Sequence, residues 1–343
     1  MPLISIIVTV FNSEEYLREC LNSILNQSFD SFEVVIVDDG SSDSSSVICK
    51  EYEKLDKRFR LYELRKNVGI SAARNFALSK CRGQYLIFVD SDDYVSPEYL
   101  SSLYQIAVTH SCDVACCNYY ILEDFNNHSL KISGLNLQSK VQITKQDFIQ
   151  LIFSLDASKK LDIGISGYLW NKLIKRECCN GTFFKKIGAE DEVFLVEIIS
   201  NIDTIMYCGT PLYYYRVRKN SLSHSSHFTF RLLESRVHVY NIFKTSPIQL
   251  IAGSALHQSL LGTLKLTLET GSLSITDIKK LKEILNVQYK YSKDLLYTKG
   301  YKLCFMQVIV LCLRIFPDTL FRLIYSFASV LCRLVYSFPF YIR

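Results

Sequence analysis

Tyr85-Leu-Ile-Phe-Val-Asp90-Ser91-Asp92-Asp93 is an apolar run that stops on three carboxylates within four residues. The run has the length and composition of a buried strand. Carboxylates this close resist ionising together unless a cation neutralises them. Hard divalent ions such as Mg²⁺ or Mn²⁺ take oxygen ligands, often one or two carboxylates completed by the phosphates of a substrate. The stretch therefore predicts a strand that ends at a metal–diphosphate site. The competing assignment is structural, with Ser91-Asp92-Asp93 capping a helix whose first turn holds Pro97.

Outward from this stretch, the first hundred residues alternate strand and helix patterns. Residues 3–10 form a β-branched run typical of a strand covered on both faces. Ser13 is placed to cap a helix whose apolar positions Tyr16, Leu17, Cys20, Leu21, Ile24 and Leu25 recur at helical spacing. Residues 32–37 are a second buried strand, stopped by Asp38-Asp39-Gly40-Ser41-Ser42. The pattern continues as helix 43–55, strand 60–64, helix 70–81, strand 85–89, helix 97–110 and strand 113–122. Such alternation implies an α/β chain with a largely parallel sheet and helices on both faces. Ligands of such sheets sit outside the carboxyl ends of the strands. Both acidic clusters, Asp38-Asp39 and Asp90 to Asp93, fall on that rim, which favours a site over a cap. Beyond it, residues 126–139 read as loop, 145–153, 168–175 and 191–200 as helices, 204–218 as one or two strands, and 228–293 as mainly helical.

Half of the 343 residues are apolar, which excludes a disordered chain. The net charge of +5 is concentrated. Residues 299–343 hold Lys299, Lys302, Arg314, Arg322, Arg333 and Arg343 against Asp318 alone, so the body is neutral. That argues against a nucleic-acid partner. The 12 cysteines include no Cys-x-x-Cys pair and several fall in apolar patterns, so neither zinc nor a disulfide scaffold is expected. A strand beginning at the third residue leaves no room for a signal peptide, and the expectation is a cytosolic body with reduced thiols.

The order of the segments is more specific than any one of them. Ser5-Ile-Ile-Val-Thr9-Val-Phe11-Asn12 is followed by Ser23 to Ser28, then Glu33-Val-Val-Ile-Val-Asp38-Asp39-Gly40-Ser41. Asn67-Val-Gly69, Ala72-Ala73-Arg74-Asn75 and Gly83 through Asp93 complete the series. Over roughly the first 115 residues the chain resembles family 2 glycosyltransferases with the GT-A fold, a Rossmann-like, mostly parallel central sheet with flanking helices, here with a helical C-terminal extension. Leu169-Trp170-Asn171-Lys172-Leu173, Glu190-Asp191-Glu192-Val193-Phe194 and the segment from Pro211 through Arg216 to Ser223 resemble the bacterial polysaccharide branch.

The resemblance implies inverting transfer from a nucleotide-sugar, usually a UDP-sugar, to a glycan acceptor, with Mn²⁺ or Mg²⁺ as cofactor. Thr9, Phe11 and Asn12 would line the nucleoside pocket, with core as the other assignment for Phe11. Asp39 would read the uracil imide, with a turn-capping role as the alternative, and Asp38 would support its turn. Asn67 would line the donor site, and Arg74 would reach the diphosphate or else be a solvated surface arginine. Asp90, Ser91 and Asp92 would face ribose and metal, with Asp93 a second metal ligand beside Asp92. Asp191 takes the position of the base, Glu190 is its runner-up, and an ordinary acidic first turn is the alternative for both. Arg216, Arg218 and His224 lie on a segment that would close over the diphosphate, or on a plain basic turn. A sugar-nucleotide nucleotidyltransferase would need a Gly-rich basic loop after the first strand, where Phe11-Asn12-Ser13-Glu14-Glu15 is acidic. A non-catalytic glycan-binding scaffold would have lost acidic motif positions that are all present.

The expected organisation is a donor half at 1–115, an acceptor and catalytic half at 116–225, a helical extension at 226–298 and a tail at 299–343. In that tail no apolar run approaches the ~20 residues of a spanning helix. Arg322, Ser326, Ser329 and Arg333 form one narrow polar stripe against Leu320, Phe321, Leu323, Ile324, Phe327, Leu331 and Leu334. This is the pattern of a helix lying in a membrane interface with arginines at anionic headgroups, suited to a lipid-linked acceptor on the cytoplasmic face of the bacterial inner membrane. The alternative is a helix packed on the body or in a homodimer. Deleting residues 300–343 is expected to move the protein from membrane pellet to supernatant; a protein that still sediments with membranes contradicts the interfacial helix.

Overall fold

The computed structural model describes residues 1–123, 129–132, 140–153, 164–218 and 226–243. The elements in chain order are β1 (Ile4–Val10), α1 (Leu17–Leu25), β2 (Phe32–Asp38), α2 (Ser45–Leu55), β3 (Phe59–Glu63), α3 (Ile70–Lys80), β4 (Tyr85–Phe88), β5 (Tyr94–Val95) and α4 (Tyr99–Thr109). They continue with β6 (Val114–Glu123), β7 (Ser129–Ile132), β8 (Lys140–Ile143), α5 (Lys145–Phe153), β9 (Lys172–Lys175), α6 (Glu190–Ile198), β10 (Ile205–Val217) and α7 (Ser226–Phe243). The chain divides into two units, Met1–Leu222 and Ser223–Arg343. Of the second unit, the described part is α7. The sheet and every described site residue belong to the first.

The sheet order is β3-β2-β1-β4-β9-β6-β10-β5, with β7 beside β6 and β8 beside β10. β3, β2, β1 and β4 are mutually parallel. β9 then runs antiparallel to both β4 and β6, while β6 and β10 pair in parallel. β1, β2 and β4 are buried on both faces because helices cover the sheet on each side. α1 turns Leu17, Cys20, Leu21 and Ile24 into this core, and α4 contributes Tyr99, Leu100, Leu103, Ile106 and Ala107. α3 is different. Its buried residues are Ser71, Ala73, Arg74 and Ala77, a face of small side chains around one cation. The nine described cysteines are free and buried, and burial raises their thiol pKa values, as for Cys49 and Cys116, both pushed up to about 12. Among the described residues no helix is long and apolar enough to cross a membrane.

Three expectations need correcting, and one alternative falls away. Residues 168–175 are loop followed by strand β9, where a helix is expected. Leu169, Trp170, Leu173 and Ile174 mimic helical spacing because a strand buried on both faces loses its alternation. The acidic cluster is not a helix cap. Asp93 N–H bonds the Asp90 carbonyl at 3.1 Å in a tight turn that leads into β5, and α4 starts only at Tyr99. The Ser13 carbonyl accepts from Tyr16 and Leu17 N–H at 3.1 and 3.0 Å as the chain enters α1, but its hydroxyl caps nothing and lies 2.7 Å from Ser91 Oγ. Residues 129–132, expected as loop, pair with β6 as β7. Residue 115 lies inside β6, so the expected donor and acceptor halves share one sheet.

A buried carboxylate fixes the other end of the central strands. Glu33 Oε1 accepts from Ser5 Oγ at 2.8 Å and from Arg82 N–H at 2.6 Å, and Oε2 accepts from Arg60 Nη1 at 2.7 Å. Ser5 Oγ in turn accepts from Gly83 N–H at 2.8 Å, and a Cβ on Gly83 would lie 2.5 Å from Ser5 N. This knot sets β4 against β1 and so aims the Asp90 turn. Glu33→Ala strands the Ser5 hydroxyl and the Arg60 guanidinium. The expected loss is about 3 kcal/mol in urea unfolding, with Glu33→Gln retaining most of it.

Candidate active site

The rim begins where β1 and β2 end. Asp38 Oδ1 accepts from Ser41 N–H at 3.1 Å and Ser41 Oγ at 2.5 Å, the turn-supporting place expected for it. Gly40 is required in this turn, because its φ is +72° and a Cβ would lie 2.6 Å from the Lys66 carbonyl carbon. Asp39 reaches across instead. Its carboxylate accepts from Val68 N–H at 2.7 Å and Gly69 N–H at 2.9 Å, so it holds the loop that launches α3. Asn67, on that loop, is exposed, and Thr9 is half-buried. Phe11 is 47% exposed, which removes its core assignment. Asn12 has a φ of 49°, and its Oδ1 accepts from Ser42 N–H at 2.8 Å. Thr9, Phe11, Asn12 and the Asp38–Asp39 turn are thus neighbours at the adjacent ends of β1 and β2.

A buried cation joins the remaining acids. The Arg74 side chain is 3% exposed, pairing through Nη1 with Glu190 Oε1 at 2.9 Å and with Asp191 Oδ1, and through Nη2 with Asp90 Oδ1 at 3.3 Å. Its guanidinium lies over the rings of Phe88 and Phe184 at 5.8 and 5.5 Å. Three carboxylates share one positive charge. Burial raises the Asp191 carboxyl to about 7, with Arg74 opposing and Glu190 and Asp90 adding to the rise. Burial and the nearby Asp92 and Glu190 also raise Asp90, against the pull of Arg74. Asp191 further accepts the Leu169 N–H. Ala189, just before α6, sits in the left-handed region at φ 49°, a conformation costing about 1–2 kcal/mol in an L-residue.

The three carboxylates of the opening stretch separate. Asp90 and Asp92 side chains are 30% and 20% exposed, and Asp92 Oδ2 pairs with Arg218 Nη2 at 2.5 Å. Asp93, expected beside Asp92 as a metal ligand, is buried with both oxygens engaged by β10. Oδ2 accepts from Tyr213 OH at 2.7 Å and Oδ1 from Arg216 N–H at 2.8 Å. Arg216 is buried as well, with Nε on the Asp92 carbonyl at 2.9 Å and Nη2 on Glu19 at 2.5 Å. Ser91 is buried against Ser13. Arg218 is the more open arginine, 41% exposed. His224 lies outside the described residues. Among the described residues no three His, Cys, Asp or Glu groups form a metal site by themselves. Asp90 and Asp92, two hard oxygen donors of like charge, fit a divalent cation whose other ligands come from a phosphate or water.

Reading the sequence alone missed the Arg74 hub, although the signal was present. Arg74 falls on the same helix face as Ala73 and Ala77, an inward face where a cation must find partners. It is spent on carboxylates here, where a diphosphate contact was expected. The contribution of Leu169 had no sequence signal, since it acts through its backbone.

A family model for Glycosyl transferase family 2 matches residues 5–160. Glycosyltransferase GlyA of Streptococcus pneumoniae is 36% identical over 223 residues, which cover 64% of this chain but only 31% of GlyA, so the chain spans under a third of that relative. The putative glycosyltransferase EpsH of Bacillus subtilis is 31% identical over 245 residues, 70% of this chain and 67% of EpsH. Residues 1–349 of TarS from S. aureus, solved with UDP-GlcNAc, match with a TM-score of 0.70 at 20% identity, covering 97% of this chain and 92% of that one. At that identity the likeness is one of fold.

The crowding at Arg74 has a consequence for stability. An aspartate whose folded pKa lies above its unfolded value binds its proton more tightly when folded, so stability falls as pH rises between the two. For Asp191 that window runs from about 4, the usual carboxylate value, to about 7. Asp191→Asn is expected to raise the thermal midpoint by about 2–4 °C at pH 8, and the gain should vanish near pH 4. Calorimetric melts across that range check it; a variant less stable than wild type at pH 8 overturns the strain assignment.

Proposed function

The chain belongs to glycosyl transferase family 2, and from that premise we propose that it is an inverting, metal-dependent glycosyltransferase that moves a sugar from a UDP-sugar to a lipid-linked glycan acceptor in bacterial surface polysaccharide synthesis. One observation carries the reading. A carboxylate with a raised pKa, Asp191, and the oxygen donors Asp90 and Asp92 lie on one rim, Asp191 and Asp90 on the same guanidinium.

In the transfer, the acceptor oxygen attacks the anomeric carbon from the face opposite the diphosphate. The new C–O bond forms as the bond to the diphosphate breaks, and Asp191 takes the hydroxyl proton. A carboxylate suffices because that proton becomes acidic only late in the step. Arg74 and the Leu169 N–H hold the carboxylate in place, and Glu190, on the same guanidinium, is the alternative acceptor of the proton. A divalent cation held by Asp92, with Asp90 alongside, would supply charge neutralisation of the departing diphosphate. Arg218 is the side chain best placed to add a second positive charge there, exchanging Asp92 for phosphate. Arg216 holds the segment that carries it.

The exposed ring of Phe11 suits a uracil face, and Asp39, with one lone pair per oxygen still available, suits its imide N–H. The TarS complex with UDP-GlcNAc supports the same donor class. The apolar, arginine-striped tail at 299–343 is what argues for a lipid-linked acceptor and peripheral attachment to the inner face of the bacterial inner membrane.

UDP release from a panel of UDP-sugars with Mn²⁺ tests the proposal. Asp191→Asn is expected to lower turnover at least about a hundredfold, the usual weight of a general base, while UDP–Mn²⁺ binding by calorimetry stays near wild type. Loss of that binding would refute the base role. Asp92→Ala should weaken UDP binding only when a divalent ion is present; equal weakening in chelator removes the cation assignment.

A further inference from the structure

The loop that precedes β9 is built more rigidly than a connection requires. Lys172 is fully buried, and its ammonium donates to the carbonyls of Ser166 at 2.7 Å and Tyr168 at 2.5 Å and to Asn171 Oδ1 at 2.6 Å. Burial lowers its pKa to about 8. An ammonium has three donors, and all three are spent inside this loop. Gly167 packs so closely on α6 that a Cβ there would lie 2.2 Å from Glu192 Cγ. Leu169 then gives its N–H to Asp191. Residues 166–169 are thereby pinned to the helix that carries the base.

What this loop displays is an aromatic ring. Tyr168, Trp170, Tyr213 and Tyr215 form a set of near-parallel rings, with Tyr168 to Trp170 at 5.0 Å and 14°, Tyr168 to Tyr215 at 5.7 Å and 26°, and Trp170 to Tyr213 at 4.3 Å and 13°. Tyr213 and Trp170 are buried, yet Tyr168 at the outer end is 40% exposed. Two buried polar atoms of the same loop, Ser166 Oγ and Trp170 Nε1, have no hydrogen-bond partner among the described residues. An exposed ring backed by stacked rings, next to carboxylates and unpaired polar groups, matches a pyranose, which offers C–H groups on its face and hydroxyls at its edge.

We propose that Tyr168 is the stacking surface for the acceptor's terminal sugar ring, and that residues 166–170 form an acceptor subsite beside Asp191. The proposal rests on the reading of Asp191 as the base. The ring holds the acceptor against the carboxylate that takes its proton, and the Lys172 clamp keeps the ring from turning away.

Trp170 is the chain's single tryptophan, so its fluorescence reports the state of the Tyr168 ring stacked on it. Titrating the full chain, loaded with UDP and Mn²⁺, with the methyl glycosides of glucose, galactose and N-acetylglucosamine is expected to give a saturable change for at least one. Tyr168→Ala should weaken that binding about tenfold, the size of one aromatic contact, and Tyr168→Phe should keep it, with UDP–Mn²⁺ affinity within twofold of wild type in both. No response to any glycoside, equal affinity in Tyr168→Ala, or a response to farnesyl phosphate alone overturns the subsite. A chain that binds no nucleoside diphosphate sinks the transferase reading, and the subsite with it.

Discussion

The site depends on a single buried guanidinium facing three carboxylates. Arg74 cannot shed its charge, and water is largely excluded from it. Asp90, Glu190 and Asp191 must therefore gather around it, although they come from the end of β4 and the start of α6, about a hundred residues apart. One cation does not balance three acids. Burial first, and the neighbouring carboxylates after it, raise the Asp90 and Asp191 carboxyls against the pull of Arg74, and a divalent ion or an incoming proton would relieve that charge. The fold tolerates a locally unfavourable arrangement because the surrounding core holds it. The left-handed Ala189 immediately before Glu190 belongs to the same pattern.

Three other acids of the rim orient its parts. Asp38 closes its own turn, Asp39 holds the loop ahead of α3, and Asp93 is tied to β10, so neighbouring acids that look alike in sequence do three different structural jobs. At the opposite end of these strands the Ser5–Glu33–Gly83 knot sets the height of β4 relative to β1. Asp90 emerges at the right level because both ends of its strand are fixed.

The alternating elements up to residue 122 were legible because helices with one apolar stripe and strands with two buried faces leave clear periods. The acidic rim was legible for the same reason, since it falls where those strands must end. Legibility failed where burial was complete. The Leu169–Ile174 segment is buried on every side and mimics a helix, and only its pairing with β4 and β6 distinguishes it. Which of Asp90, Asp92 and Asp93 would turn inward also had no local signature, because partners on β10 decide it from more than a hundred residues away.

The position of β9 bears on how the chain comes into being. It lies between β4 and β6, antiparallel to both, although it follows β6 by about fifty residues and five further strands surround it in the sheet order. During synthesis the segment up to residue 123 leaves the ribosome with β4 and β6 lacking the strand that joins them, and they gain it only when residue 175 emerges. Such late, distant pairings slow folding and leave strand edges open to the wrong neighbour. The catalytic architecture thus obliges the nascent protein to wait, in a state that chaperones would be called on to shield.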